Sequence, residues 1–449
     1  MPYLLNVVYV LLIIAVSPWL LYSALRKGKY RQGWAEKLLG RVPRRAGDRP
    51  CIWWHAVSVG EVNLLPALVS EWQRRAPHWE CVISTTTRTG YELAQKRFPN
   101  HSVFYCPLDF TWAATNAMRR VRPSLFVLAE LELWPNLIRA ARRHGAQVAV
   151  VNGRLSDHSF KGYRRLRWFL RPVLRRIGLV AAQNESYAKR FARLGTLAPA
   201  IHITGSIKFD GAPTDRWQAA TTRLRKLWGL KEQDRVFLAG STQYPEEAMA
   251  IATFRTVLET RPNWHLILVP RHPERFNEVA ALLDCSGLPW QRRTELEQGG
   301  TVQPARVLLV DCVGELGAWW GTADIGFVGG SMGSRGGQNM IEPAAYGVAV
   351  CFGPNTWNFR DVVAMLLDRN AAKIVHDQTE LDDFVHRCVE QPDFARQLGE
   401  AARQLVISQQ GATSKTVDLL QQLAETQAEK GTAPSTGTGG SKIWHRVAM

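Results

Sequence analysis

Two parallel α/β sheets in tandem, Rossmann-like in kind and facing a central cleft, are predicted by three features of this 449-residue sequence. From Cys51 onward, short apolar runs alternate with segments of helical pattern, which is how a parallel sheet flanked by helices reads. A polar, glycine-containing stretch, Gly205 to Thr214, divides that alternation into two series. Late in the second series an apolar run, Ala323 to Val328, opens into a glycine-rich loop, Gly329 to Gly337, with a helix expected to start near Gln338. Glycines let backbone N–H groups approach a ligand, and a helix N-terminus favours negative charge, so this stretch reads as a nucleotide site. Asn339, Glu342 and Pro343 fall in the first expected turn, where a carboxylate suits the two hydroxyls of a ribose. For the glycines alone, an ordinary strand-to-helix turn is the alternative.

The elements follow in order. Pro2 to Leu25 holds no charged side chain and has about the length, roughly 20 residues, that a helix needs to cross a bilayer. Arg26, Lys27, Lys29, Arg31 and Lys37 follow at once. A secretory signal carries its positive charge ahead of the apolar run, so the reversed order predicts an uncleaved anchor over residues 1–25. The positive-inside rule then places the remainder on the cytoplasmic face. Asn6 and Pro18 leave a shallow, monotopic insertion open.

Strands are expected at Cys51 to Val57, Cys81 to Thr86, Ser102 to Tyr105, Leu125 to Ala129, Gln147 to Val151, Leu179 to Ala182 and Ile201 to Ile203. Val62 to Arg75 and Pro135 to His144 read as helices between them. The second series gives strands at Val236 to Ala239, Trp264 to Val269, Val307 to Val310, Ile325 to Val328 and Ala349 to Phe352. These define a first domain over 26–205 and a second over 206–428. The last helical stretch, Asp393 to Lys430, gives way to a tail (429–449) that is flexible by composition.

A formal charge of +17 implies an anionic partner: nucleic acid, a negative membrane surface or a phosphorylated substrate. Seven scattered cysteines without a CxxC pair argue against a disulfide framework or zinc site and for a reducing compartment.

Five strand-exit segments could carry chemistry. In His55 to Glu61 a strand ends, Gly60 turns, and Glu61 opens a helix, where its carboxylate could take a proton from an attacking hydroxyl. A helix N-terminus stabilises the charged carboxylate and so lowers its basicity, which leaves a plain helix-start role open. Glu130 directly follows the apolar run Leu125 to Ala129 and is the better cleft residue, and Glu132 is expected to cap the helix that Pro135 begins, with two solvated loop acids as the alternative. Lys208, in the segment joining the two series, is placed to meet a phosphate, or is merely exposed. Arg271, after Pro270, offers a phosphate fork, with a basic loop as the alternative. Gly314, Glu315 and Leu316 begin a helix at the same edge. No Asp-x-Asp occurs, so a metal-bridged diphosphate donor lacks its usual ligands and leaving-group charge falls to Lys208, Arg271 and helix N-termini. Lys161 to Arg176 carries six arginines and one lysine around Trp168, Phe169 and Leu170, which suits an anionic membrane or single-stranded nucleic acid, with a solvated helix face as the plain alternative; the expected N-terminal anchor puts the membrane first.

SVGE at Ser58 to Glu61, ELWPN at Glu132 to Asn136, AAQNE at Ala181 to Glu185, GSIKFD at Gly205 to Asp210, PRHPERF at Pro270 to Phe276 and ADIGFVGGS at Ala323 to Ser331 resemble one family in consistent order. It is the 3-deoxy-D-manno-octulosonic acid (Kdo) transferases, and the matches run from the N-terminal segment to about Leu423. The resemblance implies a GT-B glycosyltransferase with an acceptor lobe and a donor lobe. It implies CMP-Kdo as donor and a phosphorylated lipid A precursor as acceptor, at the cytoplasmic face of the inner membrane among its anionic lipids. It further implies inversion at the anomeric centre with no cofactor and no metal, and no nucleic-acid partner. On that pattern Glu61 accepts the acceptor's proton, and Glu130 and Lys208 stabilise the transition state. CMP is held by Pro270 and Arg271, by Gly314, Glu315 and Leu316, and by Asn339, Met340, Ile341 and Glu342. The family usually has GGHN where this chain has Gly336-Gly337-Gln338-Asn339, and the loop Met332 to Arg335 matches poorly. A UDP-sugar lipid transferase of the same architecture and a tethered, non-catalytic binding scaffold are the competing readings.

Overall fold

Buried apolar runs organise two parallel sheets in the computed structural model, which describes residues 2–27, 32–131, 133–297 and 305–432. The chain forms two compact units, one of residues 1–207 and 411–449, the other of residues 208–410. The first unit holds β1 (Cys51–His55), β2 (Glu80–Thr85), β3 (Ser102–Tyr105), β4 (Leu125–Ala129), β5 (Gln147–Gly153), β6 (Leu179–Ala182) and β7 (Ile201–Ile203). Their order is β3-β2-β1-β4-β5-β6-β7, all parallel, so the strand order reverses between β1 and β4. The second unit holds β8 (Arg235–Thr242), β9 (Trp264–Pro270), β10 (Trp290–Arg292), β11 (Val307–Leu309), β12 (Ile325–Val328), β13 (Ala349–Phe352) and β14 (Lys373–Ile374). Its order is β10-β11-β9-β8-β12-β13-β14, also parallel, and reverses between β8 and β12. Ligands of such sheets bind outside the carboxyl ends of the strands at that reversal.

Central strands are buried on both faces, which is why they read as continuous apolar runs. Successive side chains still point to opposite sides. Trp53 packs edge-on against Phe104 and Phe126 on one face, while Trp54 meets Trp72 on the other.

Several boundaries depart from expectation. β1 stops at His55, because the N–H of Val57 turns to the Glu61 carboxylate. β2 is shifted by one residue, and β11 ends at Leu309. β5 and β8 run on through Asn152 (φ 53°) and Ser241 (φ 56°), left-handed residues at register shifts that no apolar count reveals. β10 and β14 were not expected; three and two residues are too few to show a period. The helix expected from Val62 to Arg75 is two, Val59–Val62 and Leu65–Arg75. Likewise Asp393 to Lys430 is broken at Gly411 (φ 95°) into Pro392–Gln409 and Ala412–Thr432. The second of these returns to the first unit, where Ala412, Val417 and Leu420 join the core and Asp418 pairs with Arg75. Residues 411–428 therefore belong with the first unit rather than the second, and the units divide after Ile207. Helix also continues to Thr432, past the expected start of the tail; residues 433–449 lie outside the described residues.

The N-terminal run is one helix, Pro2–Lys27, but it is not a free rod. Asn6 is buried; its amide donates to Thr111 Oγ1 (2.7 Å) and accepts from the Thr111 N–H (3.1 Å). Tyr9 donates to Asp109 Oδ2 (3.2 Å). Asp109 in turn accepts from the N–H groups of Asn136 (3.1 Å) and Leu137 (2.8 Å), and so caps the helix Pro135–Arg143. The cap expected from Glu132, which lies outside the described residues, is supplied by this distant side chain. Among the described residues no helix is long and apolar enough to cross a membrane, so the spanning anchor is not supported. Leu4, Val7, Leu11, Leu12 and Ile14 nonetheless stay exposed along the helix.

Asp109→Ala strips two helix N–H groups and a phenol of their acceptor. The expected cost is about 1–3 kcal/mol, read as a lower denaturation midpoint, with faster proteolysis of the N-terminal helix. An unchanged midpoint and cleavage pattern would show that the carboxylate does not hold the helix down.

Candidate active site

At the carboxyl end of β1 the chain builds a capping box. Ser58 Oγ accepts from the Glu61 N–H (3.5 Å) and donates to Glu61 Oε1 (3.0 Å), while the Val57 N–H donates to Glu61 Oε2 (2.8 Å). Gly60 therefore sits inside a helical turn capped by Ser58, and Glu61 is its third residue rather than its first. Glu61 is buried, 8% exposed. Burial pushes its carboxyl above the usual range, the Val57 N–H pulls it back, and the charge of Glu130 pushes it further up. The helix start does favour the anion, but desolvation and a second carboxylate outweigh it.

Glu130 follows β4 with φ 56°, its N–H donating to Val151 O (2.9 Å). A left-handed, non-glycine residue at a strand exit is strained, of the order of 1–3 kcal/mol, and such strain gathers at functional sites. Beneath this edge His55 is fully buried, its Nδ1 2.9 Å from Ser84 Oγ, and burial lowers its pKa to about 4. The ring is thus neutral at pH 7. Lys208 lies in the turn Ile207–Phe209, half-buried; the Ile207 N–H before it is held by Asn152 Oδ1 (3.1 Å).

Three loops converge at the corresponding edge of the second unit. Pro270 closes β9 and is buried; Arg271 is exposed, its N–H on Thr242 O (3.0 Å). Asn339 donates to Glu342 Oε1 (2.9 Å) and its own Oδ1 accepts the Ile341 N–H (3.1 Å). A β-carbon added to Gly317 would lie 3.7 Å from Glu342 Oε2, so the Gly314–Leu316 loop adjoins Glu342. Burial raises the Glu342 carboxyl, against the Asn339 hydrogen bond and the charge of Arg271. Arg271, Gly314–Leu316 and Asn339–Glu342 therefore share one site.

Not every predicted side chain faces that site. Glu315 is clamped by Arg293 (2.8 and 2.5 Å) and Trp319 (3.3 Å), so its carboxylate is already engaged. Met340 and Ile341 are buried in the core. The helix runs Ile341–Ala345, three residues later than expected, with Met340 at its N-cap and the N–H of its first residue, Ile341, taken by Asn339 Oδ1.

One organising residue was missed. Glu246, 1% exposed, accepts from the N–H groups of Gln243 (2.8 Å), Gly330 (2.7 Å), Ser331 (2.9 Å) and Met332 (2.9 Å). It is the anion that folds the glycine loop. A β-carbon on Gly329 would fall 2.7 Å from Glu246 Oε2, and one on Gly336 would fall 2.4 Å from Trp357 Nε1, which is why glycine occupies both positions. The loop Met332 to Arg335 is tied down as well, by Asn355 on Met332 O (3.1 Å) and Asn358 on Arg335 O (2.7 Å). Gln338 lies over Gly330. The only sequence signal was the pair Glu246-Glu247 after an apolar strand.

The basic strip Lys161 to Arg176 falls in the helices Asp157–Arg165 and Arg167–Leu174. Leu170, Val173 and Leu174 enter the core, and Leu166 and Trp168 stay exposed.

Residues 32–211 match the sequence pattern of the family described as 3-deoxy-D-manno-octulosonic-acid transferase (kdotransferase). The 3-deoxy-D-manno-octulosonic acid transferase of Haemophilus influenzae is 34% identical over 90% of this chain and 94% of its own. That of Bordetella pertussis is 32% identical over 92% of this chain and 98% of its own. A crystal structure of a glycosyltransferase from Rickettsia africae is 13% identical with a TM-score of 0.52, covering 86% of this chain and all of that one; that likeness is one of fold.

Replacing Glu246 by Ala leaves four N–H groups without their acceptor. Since a hydrogen bond to a charged group is worth about 1.5–3 kcal/mol, amide exchange at Gly330, Ser331 and Met332 is expected to quicken on the order of ten- to a hundredfold. Exchange at the wild-type rate would mean that the loop holds its shape by other contacts.

Proposed function

The chain belongs to the 3-deoxy-D-manno-octulosonic acid (Kdo) transferases, and on that footing we propose how its residues move Kdo from CMP-Kdo to a phosphorylated lipid A precursor in lipopolysaccharide biosynthesis. The observation that carries the mechanism is the Glu61 carboxylate: buried, fixed by Ser58 and the Val57 N–H, and made more basic by burial and by Glu130. A hydroxyl of the acceptor loses its proton to Glu61 as its oxygen bonds to the anomeric carbon of Kdo. The bond from that carbon to the phosphate oxygen breaks on the opposite side, and its electron pair leaves with CMP. Attack and departure on opposite sides invert the centre.

In the second unit the backbone N–H groups of Gly314–Leu316, the Arg271 guanidinium and the Asn339–Glu342 pair hold CMP, with Glu342 on the ribose hydroxyls. Lys208 meets charge on the departing phosphate. It is half-buried and forms no ion pair among the described residues, so its charge is free for a ligand. Cations and N–H groups fixed in advance stabilise a developing anion without reorganising, and this is the basis for a reaction independent of a metal ion. The enzyme works at the cytoplasmic face of the inner membrane, with its N-terminal helix lying in the interface rather than spanning it. Support for that reading comes from the apolar residues left exposed along the helix, among them Leu4, Leu11 and Ile14.

A positioned general base is worth roughly 10²- to 10⁴-fold, so Glu61→Ala should lower kcat by that factor while CMP binding, followed by calorimetry, persists and exceeds UDP binding. Wild-type turnover in that variant would remove Glu61 from the mechanism. The acidic limb of the kcat/KM profile should lie above the ordinary carboxylate range. Glu130→Gln deletes a charge that raises the Glu61 carboxyl, so the limb should move to lower pH; a limb that stays in place would separate the two residues.

A further inference from the structure

Where the N-terminal helix meets the helices Thr111–Val121 and Pro135–Arg143, a cavity of about 640 Å³ opens in the first unit. Its walls include Tyr3, Trp112, Asn116, Arg119, Arg139 and Arg143, and no carboxylate. Two walls are fixed: Trp112 Nε1 donates to Leu38 O (2.9 Å) and Asn116 Nδ2 to Leu39 O (2.7 Å). Elsewhere in this unit Arg45, Arg74, Arg75, Arg88, Arg122 and Arg190 each pair with an acid. Arg119, Arg139 and Arg143 pair with none among the described residues. The nearby acid, Asp109, is already engaged by Tyr9 and two helix N–H groups.

Arg119 and Arg143 sit in the last turns of their helices, where a cation also answers the helix dipole. That does not account for Arg139, one turn before Arg143 and half-buried, where desolvation and the charges of Arg143 and Arg176 all act against its own charge. Such a cluster is suited to an oxyanion with several lone pairs, and guanidinium forks match phosphate. The surface leading away from the cavity is apolar: Tyr3, Leu4, Val7 and Leu11 are exposed along the helix, as is Trp112 beside it.

We propose that this cavity binds the headgroup phosphate of an anionic phospholipid of the bilayer, with the acyl chains against the exposed face of the N-terminal helix, and so sets how the first unit is seated on the membrane. It rests on the reading that the enzyme works at a membrane surface. It adds a fixed point of attachment, distinct from the acceptor's own phosphates. Near an anionic surface each basic side chain contributes roughly a fivefold change in binding.

The test is sedimentation of the full chain with vesicles of phosphatidylcholine, with or without phosphatidylglycerol, for wild type, Arg119→Gln and the double variant Arg139→Gln/Arg143→Gln. Melting temperatures verify that the variants fold. Wild type should bind both vesicles and prefer those with phosphatidylglycerol; the double variant should lose that preference on the order of twentyfold and keep its binding to phosphatidylcholine. Inorganic phosphate at the same concentration as the anionic lipid should not displace the protein. A double variant that keeps the full preference overturns the subsite, as does displacement by inorganic phosphate. A raised KM for the lipid acceptor in detergent, without vesicles, would reassign the arginines to the acceptor and overturn it too. Wild type that binds neither vesicle would bring down the membrane reading itself.

Discussion

A carboxylate taken out of water must be met by donors, and three such groups shape this protein where loops leave the secondary structure. Glu61 is held by one N–H and one hydroxyl, Asp109 by two N–H groups and a phenol, and Glu246 by four N–H groups. The differences among the three sets of donors separate chemistry from scaffolding. With four N–H groups on its two oxygens, Glu246 has no room for a substrate proton, and moving it would release the loop it ties. Around Glu61 one of the two partners is a hydroxyl that can rotate, and a second carboxylate stands near enough to raise its pKa. Burial raises all three carboxyls, so what sets Glu61 apart is that it has the fewest donors, which leaves it room to take a proton.

The central strands were legible because parallel strands covered on both faces leave little choice but apolar residues. β4, β6, β12 and β13 have the limits that their apolar runs suggest, as do the less covered edge strands β3 and β7. Where a strand continued through backbone geometry rather than hydropathy, as at Asn152 and Ser241, the sequence carried no sign of it. The site divides the same way. SVGE is a local motif, and its capping box is complete within four residues, so Glu61 could be read directly. Glu246 works on amides more than 80 residues further along the chain, and Asp109 caps a helix 27 residues on. Glu315 shows the converse: its place in the loop was legible, but the Arg293 that occupies its carboxylate was not.

The N-terminal run shows why a count of apolar residues does not decide between crossing a membrane and lying on it. Leu5, Asn6, Tyr9, Ile13 and Ser17 are the more covered positions, spaced close to four apart, so they form one stripe on one side of the helix. Asn6 and Tyr9 in that stripe hydrogen-bond to Thr111 and Asp109 of the globular unit. A helix that crossed the bilayer with this stripe in place would have to draw both partners into the hydrocarbon with it, one of them the buried acid Asp109. Off that stripe, among the described residues, Leu4, Val7, Leu11, Leu12 and Ile14 are apolar and exposed, and an exposed apolar patch of this kind marks an interaction surface. One side fastened to the globular unit and the other apolar and exposed is the arrangement that the proposed interfacial placement requires, with Asn6 and Tyr9 making the attachment.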